Sequence, residues 1–234
     1  MYPFNDQVFI IAELSANHNN DFDLAVDTIK AMAKAGANAV KVQTYTADSL
    51  AINVDNDIFG KRKEGLWKGR TLWDLYKEAS MPYEWHEPLQ KVAQELGLVF
   101  FSSPFDVDGV AFLEQLNVPL YKIASFEITD IPLIRAVAKT GKPIIISTGV
   151  AQEADISLAL ETCHRENNHQ VTLLKCTSNY PSTLADANLK TMADMRARFD
   201  VTVGVSDHTM GSIVPITATA LGARVIEKHF ILVR

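Results

Sequence analysis

The sequence predicts an α/β fold, a (β/α)8 TIM barrel, on two observations. Eight short apolar runs alternate with amphipathic helical stretches along the 234-residue chain. The runs are rich in Val, Ile, Phe and Leu along their whole length, which is typical of parallel strands covered on both faces. Eight strand and helix units are the number that closes a barrel, whereas an open doubly wound sheet is the alternative. The barrel is favoured because no break in composition divides the chain and closure leaves no sheet edge.

The elements follow in order. The first helix is predicted to begin at Phe22 and to end at Gly36, because apolar residues from Phe22 to Met32 recur at the i, i+3, i+7 and i+10 spacing of one helix face. The predicted strands are Val8–Leu14, Ala39–Tyr45, Leu98–Ser103, Leu120–Ser125, Pro143–Thr148, Val171–Thr177, Val201–Ser206 and Ala223–Phe230. The other predicted helices are Tyr83–Leu96, Val107–Leu116, Ile131–Lys139, Gln152–Glu166, Ala185–Arg198 and Gly211–Leu221.

Two parts of the chain depart from this regular pattern. The segment Thr46–Met81 is far longer than an ordinary loop between a strand and a helix. Because barrel active sites are built from the loops at the carboxyl ends of the strands, we expect this segment to cover a substrate; a surface insertion is the alternative. The chain reaches Arg234 directly after the eighth strand, so residues 1–234 are interpreted as one barrel domain truncated after strand 8, without its eighth helix.

Composition excludes several classes of partner. A net charge of -6 and a pI near 5.5 argue against nucleic acids and against anionic membranes, so an anionic substrate must be held by a few placed cations. The amino-terminal residues do not resemble a secretory signal, and no apolar run approaches the roughly 20 residues of a membrane helix. Cys163 and Cys176 form neither a CxxC motif nor a disulfide scaffold. We therefore expect a cytoplasmic protein.

A pair of histidines is the sharpest signal for chemistry. His208 and His229 end neighbouring strands, and Glu13 ends the next strand around the closed barrel. Two imidazoles beside a carboxylate suit a divalent transition metal with open positions, although a lone histidine is more often structural. His18, in the loop after the first strand, is open to either role. Three histidines in or beside helices are predicted to be solvated: His86, His164 and His169.

Two lysines inside parallel strands are the second signal. Lys41 and Lys122 are costly to bury unless each ammonium reaches a polar site or an anion, and serine and threonine hydroxyls end the neighbouring strands. The alternative is that they pair with the nearby glutamates Glu13, Glu127 or Glu227. A metal, two lysines and a rim of hydroxyls indicate chemistry on a phosphorylated or carboxylated small molecule. Aldol-like condensation and hydrolysis both remain open at this point.

Motifs spread in order over almost the whole chain resemble those of the sialic-acid-synthase family. They are IAELSANHNND, AVKVQTYTAD, FFSSPFD, YKIASFEITD, PIIISTG, LLKCTSNYP, GVSDHT and ARVIEKHF. Two longer strings are similar to the pseudaminic acid synthase branch, GLWKGRTLWDLYKEASMPYEWHEPL and KCTSNYPSTLADANLKTM. Ser178 follows the CT pair, where sialic acid synthases typically have Asn, Thr or a similar residue.

The resemblance implies a carbon–carbon bond-forming transferase of carbohydrate biosynthesis. It would condense phosphoenolpyruvate with an open-chain 2-acetamido sugar, which in the pseudaminic acid branch is 2,4-diacetamido-2,4,6-trideoxy-altrose, to a nine-carbon 2-keto acid and phosphate. His208 and His229 would bind Mn2+ or Mg2+, with the carboxylate of Glu13 beside the metal and the sugar aldehyde. Phosphoenolpyruvate would be held by Lys41, Ser103, Lys122, Ser125, Ser147, Ser178 and Ser206. The sugar side would be lined by Gln43, Phe105, Glu127 and Tyr180.

The sequence departs from the family pattern at its carboxyl end. Family members continue into a small antifreeze-like domain that gives an arginine to the active site of the partner subunit in a homodimer. Neither that domain nor the acidic residue expected after EKHF is found, since ILVR follows instead. We therefore expect activity well below that of a complete homologue. A sialic or legionaminic acid synthase and a catalytically silent ligand-binding fragment remain alternatives.

Overall fold

Eight parallel strands close into a barrel in sequence order in the computed structural model, which describes residues 7–65 and 67–232. Each strand pairs with the next, and the eighth pairs with the first. The predicted barrel is therefore confirmed, whereas the chain end at Arg234 lies outside the described residues. The strands are β1 Phe9–Glu13, β2 Ala39–Thr44, β3 Val99–Pro104, β4 Tyr121–Ile123, β5 Ile144–Ser147, β6 Val171–Cys176, β7 Thr202–Asp207 and β8 Val225–His229.

Helices cover the outside of the strands, close to the predicted positions. They are α1 Phe22–Lys34, α2 Ala47–Leu50, α3 Leu72–Ala79, α4 His86–Glu95, α5 Val107–Gln115, α6 Ile131–Lys139, α7 Glu153–Arg165, α8 Thr191–Phe199 and α9 Ile213–Ala220. The continuous helix predicted over Ala185–Arg198 is wrong. A 3-10 turn occupies Ala185–Ala187, and Asn188 then takes a left-handed backbone conformation with φ of 43°, which no α-helix can contain.

The fourth strand is shorter than predicted. It ends at Ile123, and the chain then turns because the amide of Glu127 donates to the carbonyl of Ala124 at 3.2 Å. Ser125 and Glu127, predicted at the tip of a strand, therefore lie in the 3-10 turn Ser125–Thr129. This turn still places both side chains at the carboxyl end of the barrel.

Apolar side chains fill the interior of the barrel toward the amino ends of the strands, and the polar side chains lie toward the carboxyl ends. The interior cluster includes Ile11, Phe101, Leu120 and Leu174, each at most 1% exposed. A second layer packs between the strands and the helices. Burial of each such side chain stabilises the fold by about 1.5–3 kcal/mol. This apolar interior therefore supports the polar residues at the carboxyl ends of the strands.

The chain between Thr46 and Met81 contains two capped helices that are joined by side-chain hydrogen bonds. The hydroxyl of Thr46 caps α2 and that of Thr71 caps α3. The Trp73 indole donates to Asp48 Oδ1 at 2.8 Å, which ties the two helices together. Asn20, from the loop after β1, donates to the carbonyl of Glu78 at 2.7 Å. We call residues 46–81 the cover segment.

No helix in the described parts of the chain has both the length and the hydropathy needed to cross a membrane.

Candidate active site

Strand register brings the predicted residues to one end of the barrel. Glu13 lies opposite Lys41 on one side and opposite His229 on the other, because β1 is paired with both β2 and β8. Gln43 lies opposite Ser103 in the pairing of β2 with β3. Residues from the two ends of the sequence therefore meet at the carboxyl end of the barrel, where ligands bind in this architecture.

Two buried lysines and two buried glutamates form the centre of this region. Lys41 Nζ is 2.9 Å from Glu227 Oε2 and 3.1 Å from Glu13 Oε1. Lys122 Nζ donates to Ser147 Oγ at 2.7 Å and lies 3.9 Å from Glu227 Oε1. The four side chains are at most 6% exposed. The pairing that the sequence left as an alternative is thus present, with Glu13 and Glu227 as the partners.

The electrostatics of the two lysines differ. Burial opposes the charge on Lys41, but the carboxylates of Glu13 and Glu227 outweigh it and raise the pKa of Lys41 above its ordinary value. Burial lowers the pKa of Lys122, and the neighbouring charge of Lys41 acts in the same direction. Burial would raise the pKa of Glu227, yet both lysines hold it below the usual range. Lys122 is therefore the cation that an arriving anion would stabilise most.

The two predicted histidines lie side by side. Their ring centroids are 5.3 Å apart, and His229 Nε2 is 3.6 Å from Glu13 Oε2. His208 Nδ1 donates to the carbonyl of Thr177 at 2.9 Å, which orients the ring and leaves Nε2 for a ligand when the ring is neutral. Burial opposes the charge on His208, but its hydrogen bonds to Cys176 and to the Thr177 carbonyl outweigh burial and raise its pKa. Burial lowers the pKa of His229 and so favours its neutral ring. Two imidazoles beside a carboxylate are donor types that a divalent cation prefers, although no group of three His, Cys, Asp or Glu side chains within residues 7–65 and 67–232 forms a complete cation site.

Buried hydroxyls surround the lysines. The Oγ atoms of Ser103 and Ser178 are buried without a hydrogen-bond partner among the described residues, which is costly unless a ligand or water completes them. Ser206 Oγ donates to Glu227 Oε1 at 2.9 Å. The amide of Gly149 donates to Ser125 Oγ at 3.1 Å, and a Cβ atom at Gly149 would come within 2.4 Å of Ser178 Oγ. Only glycine allows the chain after β5 to approach these hydroxyls so closely.

The sugar-side residues fall into two groups. Gln43, Phe105 and Glu127 line a cavity of about 870 Å³ between the strand ends and the cover segment. Tyr180 lies apart from them, with its ring centroid 4.1 Å from that of His208, and lines a separate cavity of about 250 Å³ beside both histidines. The structure therefore brings three of the four together and places the fourth against the histidine pair.

Sequence reasoning missed several positions. Glu227 was considered only as a pairing partner, although it precedes His229 by two residues in the same strand and so shares its face. The prediction that His86 is solvated is wrong, because its side chain is fully buried with Nε2 2.8 Å from Thr44 Oγ1. The exposed His164 and His169 agree with the prediction. His18 is buried, and its Nε2 has no hydrogen-bond partner among the described atoms.

Residues 28–234 match the NeuB family. The chain belongs to the NeuB family. It is 49% identical over 226 residues to the pseudaminic acid synthase of Campylobacter jejuni subsp. jejuni serotype O:2, covering 97% of this chain and 66% of that protein. It is 50% identical over 223 residues to the pseudaminic acid synthase of Helicobacter pylori, covering 95% of this chain and 65% of that protein. The chain therefore spans about two thirds of the length of these NeuB family relatives.

A solved structure of similar sequence has the same fold. The N-acetylneuraminic acid synthetase of Leptospira borgpetersenii, crystallised with citrate, superimposes with a TM-score of 0.84 at 34% sequence identity. The match covers 96% of this chain and 73% of that chain. The (β/α)8 barrel described above is thus shared with that protein.

Proposed function

We propose that this chain is the catalytic barrel domain of a pseudaminic acid synthase. It would condense phosphoenolpyruvate with 2,4-diacetamido-2,4,6-trideoxy-altrose to a nine-carbon 2-keto acid and inorganic phosphate. The observation that carries the proposal is the buried cluster of Lys41 and Lys122 among unpartnered hydroxyls, directly beside His208 and His229. Its identity to named pseudaminic acid synthases supports the choice of sugar.

The phosphate and carboxylate of phosphoenolpyruvate match the donors around Lys122. Its ammonium, held by Ser147 and by the carbonyl of Ile123 at 2.9 Å, is already fixed in one position. The unpartnered hydroxyls of Ser103 and Ser178 would donate to anionic oxygens. Because these donors are fixed before the ligand arrives, little reorganisation opposes the stabilisation of developing negative charge.

The balance of charges in the lysine and glutamate cluster supports the binding of a divalent metal cation. The two ammonium groups of Lys41 and Lys122 are cancelled by the carboxylates of Glu13 and Glu227, so the cluster carries no net positive charge for an anionic ligand. His208 and His229 would hold the divalent cation, Mn2+ or Mg2+. When bound, such an ion supplies charge neutralisation and polarises an oxygen of the substrate.

The residues would act as follows. The C3 carbon of phosphoenolpyruvate forms a bond to the aldehyde carbon of the sugar, and the aldehyde oxygen becomes an alkoxide that takes the proton which Glu13 receives from water in the next step. Water adds to the cationic C2 carbon and loses a proton to Glu13, the carboxylate 3.6 Å from His229 Nε2. The C2–O bond to the phosphoryl group then breaks, phosphate leaves with a proton and the 2-keto group forms. Lys41 and Lys122 stabilise the phosphate and carboxylate charges throughout.

Other features of the proposal follow from the family resemblance. A sialic or legionaminic acid synthase would use the same site with a different sugar, and a silent fragment would bind ligands without turnover. Homodimer formation is proposed by analogy with family members. A cytoplasmic location is supported by the two free, buried cysteines Cys163 and Cys176.

Phosphate release from phosphoenolpyruvate with Mn2+ tests the proposal. We expect release with the diacetamido-altrose and much less with N-acetylmannosamine. Release with N-acetylmannosamine alone would replace the proposal with a sialic acid synthase. No release with either sugar, together with Mn2+-dependent binding of phosphoenolpyruvate, would leave a silent ligand-binding fragment.

A further inference from the structure

Apolar side chains of the cover segment face the 870 Å³ cavity. Trp67 is 48% exposed and Leu72 is 37% exposed, although both line this concave surface. Leu75 and Tyr76 complete the same wall. Phe105 faces the cavity from the barrel side. Exposed apolar groups collected in one cavity are typical of a surface that a ligand covers.

The opposite wall is polar and belongs to the site described above. Gln43 follows Lys41 by two residues in β2, and Glu127 follows Ser125 by two residues in one 3-10 turn. Glu127 Oε2 is buried and has no hydrogen-bond partner in the part of the chain that the structure describes, and burial raises the pKa of this carboxyl. A ligand in the cavity would therefore meet hydrogen-bonding groups and Phe105 on the barrel side, and mainly apolar groups beside the Arg70–Glu78 pair on the cover side.

The charges in the cavity disfavour an anion. Arg70 is the only lysine or arginine among the described residues that line it, and its guanidinium is paired with the carboxylate of Glu78. In contrast, the proposed phosphoenolpyruvate site has two buried lysines, Lys41 and Lys122. The cavity therefore suits a neutral ligand with apolar substituents.

We propose that Trp67, Leu72 and Tyr76 determine specificity by contacting the methyl groups of the sugar, that is, its N-acyl methyls and its deoxy carbon. The inference rests on the proposed function, since it takes the sugar substrate to be the occupant. A hydroxyl in place of one of these apolar groups would be buried against the apolar wall without a partner. Selection by an apolar wall of this kind is expected to amount to about 10–200-fold for each methyl group. A phosphorylated sugar would be rejected, because the paired Arg70 offers it no free positive charge.

Two polar substitutions test the assignment. Leu72→Asn and Trp67→Ser remove apolar surface from exposed positions and leave the barrel untouched. We expect each to lower the preference for the diacetamido-altrose over N-acetylmannosamine at least tenfold in kcat/KM, with KM for phosphoenolpyruvate unchanged. Leu72→Met should keep the preference. Leu158→Asn, on the outer face of α7 at 43% exposure, is the matched control and should change nothing.

Binding of the two sugars, measured by calorimetry with phosphoenolpyruvate present, separates this inference from the proposed function. Selective binding of the diacetamido-altrose that Leu72→Asn abolishes would support the inference even if no phosphate were released. Phosphate release that is equally efficient with both sugars would overturn the inference while leaving synthase activity. An unchanged preference in Leu72→Asn and Trp67→Ser, binding of neither sugar, or N-acetylmannosamine 6-phosphate binding more tightly than N-acetylmannosamine would also overturn it.

Discussion

Glu227 lies between two buried ammonium groups, with Oε2 2.9 Å from Lys41 and Oε1 3.9 Å from Lys122. Glu13 stabilises only the first of these lysines directly, at 3.1 Å. Loss of Glu227 would therefore leave Lys122 buried without a carboxylate partner. A buried charge without compensation is far more destabilising than a lost surface pair.

We expect Glu227→Gln to lower the free energy of unfolding by about 3–5 kcal/mol. Urea denaturation at pH 7 measures this change. Glu166→Gln, which removes the more exposed pair with Arg135 at 3.7 Å, should cost at most about 1 kcal/mol. Inorganic phosphate should stabilise Glu227→Gln more than the parent protein, because an anion would replace the lost negative charge. Equal costs for the two variants would contradict this account.

Thr177 connects a buried lysine to a proposed metal-binding histidine. Its hydroxyl accepts from Lys175 Nζ at 2.6 Å and donates to the carbonyl of Asp186 at 3.0 Å, while its own carbonyl accepts from His208. These contacts fix the carbonyl that orients the imidazole. Loss of such a supporting group typically weakens metal affinity about 10–100-fold.

Thr177→Val should weaken Mn2+ binding about tenfold, measured by the electron paramagnetic resonance signal of free Mn2+. Thr177→Ser keeps the hydroxyl and should retain most of the affinity. Because the measurement needs no turnover, it separates orientation of His208 from any effect on catalysis. Tight binding by Thr177→Val would mean that the hydroxyl does not position the histidine.

At the scale of an element, His86 attaches the start of α4 to the barrel. Its Nδ1 donates to the carbonyl of Tyr83 at 3.2 Å, while Nε2 accepts from Thr44 Oγ1, which in turn is 2.6 Å from Ser102 Oγ. Burial lowers the pKa of His86 to about 4. The imidazole is therefore held neutral between the helix and strands β2 and β3.

Acid should weaken this attachment. The unfolded imidazole takes up a proton near its ordinary pKa of 6.5 and the folded one only near 4, so the unfolded state binds more protons between these values. The contribution of neutral His86 to the free energy of unfolding is thus fully present above pH 6.5. It is lost as the pH falls toward 4, by about 2 kcal/mol from pH 7 to pH 5. His86→Leu should be less stable at pH 7 but should lack this part of the pH dependence. The exposed His164→Gln should keep it, and unfolding by urea at the two pH values compares them.

At the scale of the whole molecule, closure of the barrel depends on one close approach. A Cβ atom at Gly204 would lie 2.2 Å from the carbonyl oxygen of Val225, across the pairing of β7 with β8. No side chain can occupy that space unless the two strands separate. The absence of a side chain at Gly204 therefore allows β8, with Glu227 and His229, to pair with β7.

We expect Gly204→Ala to lower the free energy of unfolding by about 3 kcal/mol or more, since backbone must move. Gly36→Ala provides the comparison, because Gly36 has a φ of +88° and open space around it, so only backbone strain of about 1–2 kcal/mol applies. Thermal unfolding of both variants measures the difference. A smaller effect at Gly204 than at Gly36 would be inconsistent with strand contact as the controlling feature.

The sequence predicted those features that depend on local patterns. Buried parallel strands are continuous apolar runs, and polar residues such as Lys41 or His208 at their carboxyl ends must converge when a barrel closes. Features that depend on strand register were not accessible, because the pairing of Lys41 with both Glu13 and Glu227 requires knowing which residues lie side by side. The burial of His86 likewise follows from how α4 packs on the barrel, and its sequence position gave no sign of it.

The pairing of β1 with β8 has a consequence for biosynthesis. Glu13 leaves the ribosome more than 200 residues before its neighbour His229. Until β8 has emerged, β1 with Glu13 lies at an open sheet edge, and Lys41 in β2 lacks its partner Glu227. The nascent chain therefore passes through a long stage in which the first seven strands can associate but the candidate active site is incomplete. Contacts between such distant residues also form late and slowly during refolding.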